Sequence, residues 1–299
     1  ILDQSFRDFE FIIIDDGSTD RTNEIIRHYA RQDPRVKLIT QKNQGLIAAL
    51  NTGFKLAQGE YIARMDADDI SLRNRLQEQY TYFEKHSELV LLGSLAAFID
   101  ESSHVTGIWP FLYGDHEIRS GMASHTQYCH GTVMIRRSVV SGKGEYYDPI
   151  AKHYEDYEYW PRLLKHGTGE NLPKVLYYYR QSSTSITTTK KPEMEEGSRR
   201  IRERESGNIA DTFGPKDCWA AFKTARTYRP SHIRLEGKSF PSKLRRNYQS
   251  YLIGQAKTYI LKRDYFSALF ALAASFCINP INFVSLGFGI AREVLGTKG

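Results

Sequence analysis

Cysteine is scarce in this chain and shows no paired pattern. The three residues, Cys129, Cys218 and Cys277, form no CxxC motif, which excludes a disulfide scaffold and a zinc knuckle and fits a reducing compartment. Ile1–Arg7 lacks the charged, apolar and small-residue succession of a signal peptide, so no secretory leader is expected. Collagen-like repeats are absent too. Apolar residues make up 40% and charged residues 25%, ordinary globular usage that excludes wholesale disorder. The 299 residues suffice for one large domain or two modest ones at about 150 residues each, with a core that needs no cross-links.

Net charge is nearly absent outside one segment. The whole chain carries +6, yet Lys190–Arg246 holds 15 Lys/Arg against 8 Asp/Glu, a net of +7 that leaves −1 for the rest. Tyr265–Ala291 then has no charged residue at all. Basic residues flanking an apolar, aromatic-rich run are what an anionic membrane surface attracts, although the RIRERE run within the basic segment interleaves its charges as a solvated helix does. Asn279-Pro280 divides the apolar run, so it reads as a helical hairpin in the membrane interface or on the domain rather than a span. Nucleic acid is not expected as a partner.

The first half alternates two periodicities. Glu10–Ile14 (EFIII), Val36–Ile39, Glu60–Met65 and Leu89–Phe98 are short apolar runs of strand type. Between them Ile25, Ile26 and Tyr29, then Leu46, Ile47, Leu50 and Phe54, then Leu72, Leu76, Tyr80 and Phe83 recur at helical spacing. This pattern predicts an α/β fold with βαβ units and a mostly parallel sheet covered on both faces. Further on, His130–Arg136 and Lys174–Arg180 read as strands and Glu155–His166 as a helix. The polar loop Gln181–Lys191 is the best domain boundary, giving an α/β domain over 1–185 and a helical region, basic then apolar, over 186–299.

Two acidic clusters each follow a predicted strand directly: Asp15 and Asp16 after EFIII, and Asp66, Asp68 and Asp69 after EYIARM. In an open α/β sheet such strand ends border the ligand crevice. Carboxylates crowded there repel one another unless a cation or a hydrogen-bonding ligand lies between them. Residues i and i+2 of an extended backbone point the same way, so Asp66 and Asp68 can face one site. Hard oxygen donors select Mg²⁺ or Mn²⁺, which commonly bridge phosphates. The competing reading is that these are ordinary turn and helix-cap aspartates.

The strings IIIDDGSTD, KNQGLIAALNTGFKLAQGEYIARMDADD and HYEDYEYWPRLLKHG, in this order and spacing, resemble the family 2 glycosyltransferases of the GT-A fold. The resemblance covers roughly residues 1–180. It implies that Asp15 and Asp16 contact the base and ribose of a nucleotide-sugar, and that Asp66 and Asp68 form the DxD motif, with Asp68 the direct ligand of Mn²⁺ or Mg²⁺ and Asp66 shared between cation and donor. Asn43 and Arg64 flank the donor pocket by the same resemblance, and Arg180, just before a Ser/Thr-rich loop, can reach the diphosphate as that loop closes. Asp156 of the Glu155-Asp156 pair is then the general base that deprotonates the acceptor hydroxyl in an inverting displacement. Asp69 is expected to cap the following helix. His130 is a satisfied strand histidine or an acceptor or phosphate contact, and Arg162 lies near the same blocks.

The implied activity is transfer of a sugar from a nucleotide-diphosphate donor, UDP- or dTDP-linked, to a hydroxyl of a glycan or lipid-linked acceptor in cell-surface polysaccharide synthesis. The enzyme would sit at the inner face of the cell membrane. The QxxRW motif of processive members is missing, which favours single additions. Members of the family usually open with a further strand and helix ahead of a segment like ILDQSFRDFE. That unit is expected to be lacking here, leaving an exposed sheet edge and an incomplete donor site. The alternative is therefore an inactive GT-A-like domain that binds a nucleotide or a membrane. A haloacid-dehalogenase phosphatase wants Thr or Val soon after its second Asp, where this chain has Asp69-Ile70. A sugar-nucleotide pyrophosphorylase needs a GxGxR loop that is not found.

Overall fold

The computed structural model describes residues 1–209, except 110, 124, 184 and 186–188, together with 234–235 and 238–239. β1 (Phe11–Asp15) and β2 (Val36–Thr40) pair in parallel, with Asp15 opposite Thr40, and α1 (Thr22–Gln32) connects them. α2 (Leu46–Leu56) packs back on β1, where Gly53 lies against Ile14. Glu10 fastens this unit at its far end. Its carboxylate accepts the N–H groups of Gln58 (2.6 Å) and Gly59 (3.2 Å) just past α2 and pairs with Lys37 on β2.

The larger sheet has six strands. β3 (Tyr61–Ala63), β4 (Ile70–Ser71), β5 (Leu89–Ile99), β6 (Val105–Trp109), β7 (Met134–Arg136) and β8 (Thr168–Arg180) run in the order β3-β7-β5-β8-β4, with β6 also on β5. Only β5 and β8 are parallel in it; the other ladders are antiparallel. The α/β class therefore holds, but the sheet is mixed rather than mostly parallel. β5 is almost wholly buried, as expected for an uninterrupted apolar run covered on both faces. Among the described residues β1 and β2 share no ladder with the larger sheet; α2 joins the two, its Ile47 and Phe54 packing in one core with Leu91 and Ile135.

Side chains alternate across the larger sheet. Leu92 and Met134 face α3 (Arg75–Phe83) and the N-terminal segment, with Leu76, Phe83 and Phe6. Leu91 and Ile135 face α2, α4 (Asp115–Gly121), α5 (Arg137–Lys143) and α6 (Glu155–Leu163). The centre of that second core is aromatic: Tyr128, Tyr147, Tyr159 and Trp160 are all essentially inaccessible. Fully burying a large apolar side chain contributes about 1.5–3 kcal/mol, so this cluster holds α6 firmly against the sheet.

The predicted strand at His130–Arg136 is shorter than expected. His130–Thr132 is a 3₁₀ turn and only Met134–Arg136 pairs, because Thr132 turns its hydroxyl back onto the Cys129 carbonyl (2.8 Å). α7 (Lys191–Ile209) follows the polar loop and packs on α6. Its Ile201 enters the aromatic core, and its Gly197 lies so close to the Tyr154 ring that a Cβ would stand 2.0 Å from it. No helix of the described residues is long and apolar enough to cross a membrane; the apolar run at 265–291 and most of the basic segment lie outside them.

Candidate active site

The DDGSTD turn leaves β1 and folds over the start of α2. Asp15, 4% exposed, accepts the Ser18 N–H (2.9 Å) and the Asn23 side-chain amide (2.7 Å), and these bonds hold its carboxyl below the usual range. Asp16 accepts the Gln41 amide (2.7 Å) and the backbone N–H groups of Gln44 (3.0 Å) and Gly45 (2.8 Å). Burial works against its charge, but these donors outweigh it and hold the carboxyl low. Asp16 is thus an anionic cap on α2, whose own N-cap residue Gly45 has no side chain to offer. Gly17 sits at φ +82° with Asn43 pressed on it; a Cβ there would lie 2.9 Å from the Asn43 nitrogen. The turn therefore brings Asp15, Asp16 and Asn43 together, with both aspartates already hydrogen-bonded.

The DADD run connects β3 to β4, the two ends of the strand order in the larger sheet. Asp66 is gripped through both carboxylate oxygens by the two terminal nitrogens of Arg64, a bidentate pair. The Arg64 guanidinium is 5% exposed, and its Nε has no partner. Burial opposes its charge, but Asp66 more than offsets this and drives the pKa up. Asp68 is exposed and its carboxylate makes no bond to the described residues. Asp69 does not cap α3, as the sequence led one to expect. It turns inward and accepts the Arg180 N–H (2.7 Å), leaving its other oxygen buried without a partner, and burial pushes its carboxyl up to about 6.

Arg180 ties this turn to the neighbouring loop. Its guanidinium donates to the carbonyls of Asp68 (2.8 Å), Asp100 (2.8 Å) and Glu101 (3.2 Å) and to Ser103 Oγ (3.0 Å). In this conformation it braces the DADD turn. Arg162 is likewise spent on Glu145, Glu158 and the Tyr146 carbonyl, so it supports α6 from outside the site.

Glu155 and Asp156 open α6, entered through His153 at φ +75°. Burial, foremost, and the partner carboxylate raise Glu155; burial likewise raises Asp156, and Arg64 pulls both back down. Among the described residues Asp156 accepts only the Tyr157 N–H (2.7 Å). Beside them His130 is buried, its Nε2 hydrogen-bonded to Tyr147 Oη (2.8 Å) and its Nδ1 4.0 Å from Glu155. Burial, then Arg64, keeps it neutral. Tyr147 is in turn fixed to α2 by a reciprocal backbone pair with the Asn51 amide (2.9 and 3.0 Å).

Arg64, which grips the DADD turn, also favours the ionised forms of the Glu155-Asp156 pair. Sequence reasoning missed the residues that hold it. Tyr177 accepts the Asp66 N–H (3.0 Å), and Arg75, wholly buried, donates to the Arg64 carbonyl (2.7 Å) and stacks on Tyr177. Burial lowers the Arg75 pKa to about 10. Alternation in LYYYR marks which tyrosines share a face, but nothing in LRNRLQ distinguishes Arg75 from Arg73.

No three His, Cys, Asp or Glu side chains of the described residues form a ready metal cage. The exposed Asp68 carboxylate, unbonded among the described residues, is a hard oxygen donor of the kind that Mg²⁺ or Mn²⁺ takes. Both oxygens of Asp66 are engaged by Arg64.

Residues 1–142 match the model of glycosyl transferase family 2. The chain is 31% identical over 213 residues to an uncharacterized glycosyltransferase of Haemophilus influenzae, covering 68% of this chain and 65% of that one. It is 32% identical over 185 residues to the Escherichia coli O-antigen biosynthesis glycosyltransferase WbnJ, covering 60% and 71%. Its fold matches the crystal structure of S. aureus TarS 1-349 in complex with UDP-GlcNAc with a TM-score of 0.54 at 14% identity, over 92% of this chain and 84% of that one. The chain spans about two thirds of the length of these two sequence relatives, and it belongs to the family 2 glycosyltransferases.

Proposed function

We propose that the chain transfers a sugar from a nucleotide-diphosphate donor, UDP- or dTDP-linked, to a hydroxyl of a glycan or lipid-linked acceptor, with inversion at the anomeric carbon. Asp156 accepts the acceptor's proton as its oxygen attacks, and the nucleoside diphosphate leaves. Asp68, joined by Asp66, would hold Mn²⁺ or Mg²⁺, which supplies Lewis-acid neutralisation of the leaving diphosphate. Asp15, Asp16 and Asn43 form the wall for the nucleoside, and Arg180 keeps the DADD turn in position beside it. The O-antigen role in the name of one relative supports a cell-surface polysaccharide as the setting.

The observation that carries this reading is the position of Arg64. Arg64 grips Asp66 and donates its N–H to Val133, and His130, three residues before Val133, stands 4.0 Å from Glu155; this proximity of segments remote in sequence supports a donor motif and a base motif serving one site. A carboxyl raised by burial is also a stronger base than a solvated one. The test is transfer from a panel of UDP- and dTDP-sugars to lipid-linked and glycan acceptors, with the product anomer read by NMR. An inverted anomer and a strong dependence on Asp156 are expected. Retention of configuration, or Asp156→Asn at wild-type rate, would sink the mechanism.

A further inference from the structure

Arg64 holds Asp66 in a way that a cation must undo. Both oxygens of the carboxylate are taken by the guanidinium, so a divalent ion that uses Asp66 competes with a planar bidentate partner rather than with water. The backbone on both sides is pinned. Arg64 donates its N–H to the Val133 carbonyl (3.0 Å) and accepts from Arg75, while the Asp66 N–H is held by Tyr177. Tyr177 itself lies against Gly131, where a Cβ would stand 2.4 Å from its hydroxyl. The Arg64 side chain is left as the part that can move. Among the described residues its buried Nε has no partner, and the salt bridge to Asp66 is its one direct anionic contact.

Moving it is tolerable only if a second anion awaits. A buried guanidinium stripped of its counter-ion is strongly unfavourable. Glu155 and Asp156 are that second seat: the Arg64 backbone is bonded to Val133 (3.0 Å), and His130, three residues before Val133, stands 4.0 Å from the Glu155 carboxylate, an arrangement in which Arg64 favours the charged forms of the pair. We propose that Arg64 is the internal competitor of the donor's divalent cation: it closes Asp66 while the site is empty and swings toward Glu155-Asp156 when the cation takes that carboxylate. This role rests on the donor-site reading above. It makes Arg64 a positioning residue that keeps cation affinity low in the empty enzyme and couples occupation of the donor side to the environment of the base.

The experiment is titration of the full chain with Mn²⁺, free ion being read by electron paramagnetic resonance, without and with UDP. Without UDP, Arg64→Gln is expected to bind Mn²⁺ about tenfold tighter than wild type, as for removal of one member of a coupled pair. Arg64→Lys should fall between them, because an ammonium cannot bridge both oxygens. The gain should vanish in an Asp66→Asn background. Equal or weaker Mn²⁺ binding by a folded Arg64→Gln, or a gain that persists with Asp66→Asn, overturns the proposal. If Arg64→Gln does not fold, Arg64→Lys decides by the same criterion. Failure of wild type to bind Mn²⁺ even with UDP overturns the donor-site reading itself; normal ternary binding with unaltered Arg64 variants overturns the competitor role alone.

Discussion

The acidic turns after β1 and β3 have similar sequences, DDGS and DADD, and opposite electrostatics. After β1, donors surround the carboxylates: Ser18 and Asn23 on Asp15, and Gln41, Gln44 and Gly45 on Asp16. Both carboxyls are held below their usual range. After β3 and at the head of α6, donors are few and burial dominates, so Asp69, Glu155 and Asp156 are pushed up. Asp68 is left exposed, with nothing among the described residues bonded to its carboxylate. An aspartate after a strand is scaffold where backbone N–H groups converge on it, and available for chemistry where they do not.

The largest effect expected of this contrast is at Asp156. Asp156→Asn should lower transfer by about 10²–10⁴-fold, the usual worth of a general base, with donor affinity unchanged in calorimetric titration. A loss of donor affinity instead would move Asp156 to the scaffold side. Asp68→Ala should come next, removing the metal-dependent part of donor binding; unchanged Mn²⁺-dependent affinity would take Asp68 out of the site.

Acid should separate the two regions. A base whose carboxyl is raised by burial loses activity as pH falls through a value above the ordinary Asp range of about 3.9. Asp15 and Asp16, held low, contribute stability that is present above that range and lost only as pH falls through their lower folded values. Transfer rate is therefore expected to drop at a pH where circular dichroism still reports the native fold. Coincident loss of rate and fold would erase the distinction.

On the scaffold side, Asp16→Ala strips α2 of its cap and leaves three donors unpaired. We expect a cost of about 1–3 kcal/mol, read as a drop of about 2–4 °C in melting temperature per kcal/mol; an unaltered melting curve would contradict the capping role. The smallest effect belongs to Asp69. Its folded carboxyl is raised to about 6, so its stabilising contribution is complete below the unfolded value and is lost as pH rises through about 6. Asp69→Asn should gain on wild type as pH rises from about 4 through about 6 and be at least as stable at pH 8. Lower stability at pH 8 would mean that the charge is better satisfied than its orphaned oxygen indicates.

Most strands and helices of the first hundred residues are legible because each has one clean period. Leu89–Ile99 is a continuous buried run, and α2 repeats its apolar residues on one face. Legibility fails where side chains replace periodicity. β8 begins at Thr168, six residues before the predicted strand, since the polar TGENLP stretch is buried through the Asn171 amide, which donates to the Leu112 and Gln127 carbonyls (both 2.9 Å). α4 and α5 lie in short, mixed segments that give no periodic signal. Among the candidate residues, sequence order brings Asp15 to Asp16 and Asp66 to Asp68. It does not reveal that Arg180 is committed to carbonyls, that Asp69 faces inward, or that Arg64 serves two motifs, because each depends on chain segments far apart.

The central claim is that the turn after β3, and not the one after β1, holds the cation that brings the donor in. It is tested most directly by calorimetric titration of the chain with UDP in the presence and absence of Mn²⁺, repeated on Asp68→Ala. The account predicts Mn²⁺-dependent binding that disappears in the variant. Binding that is indifferent to Mn²⁺, or equally strong after the substitution, would contradict it.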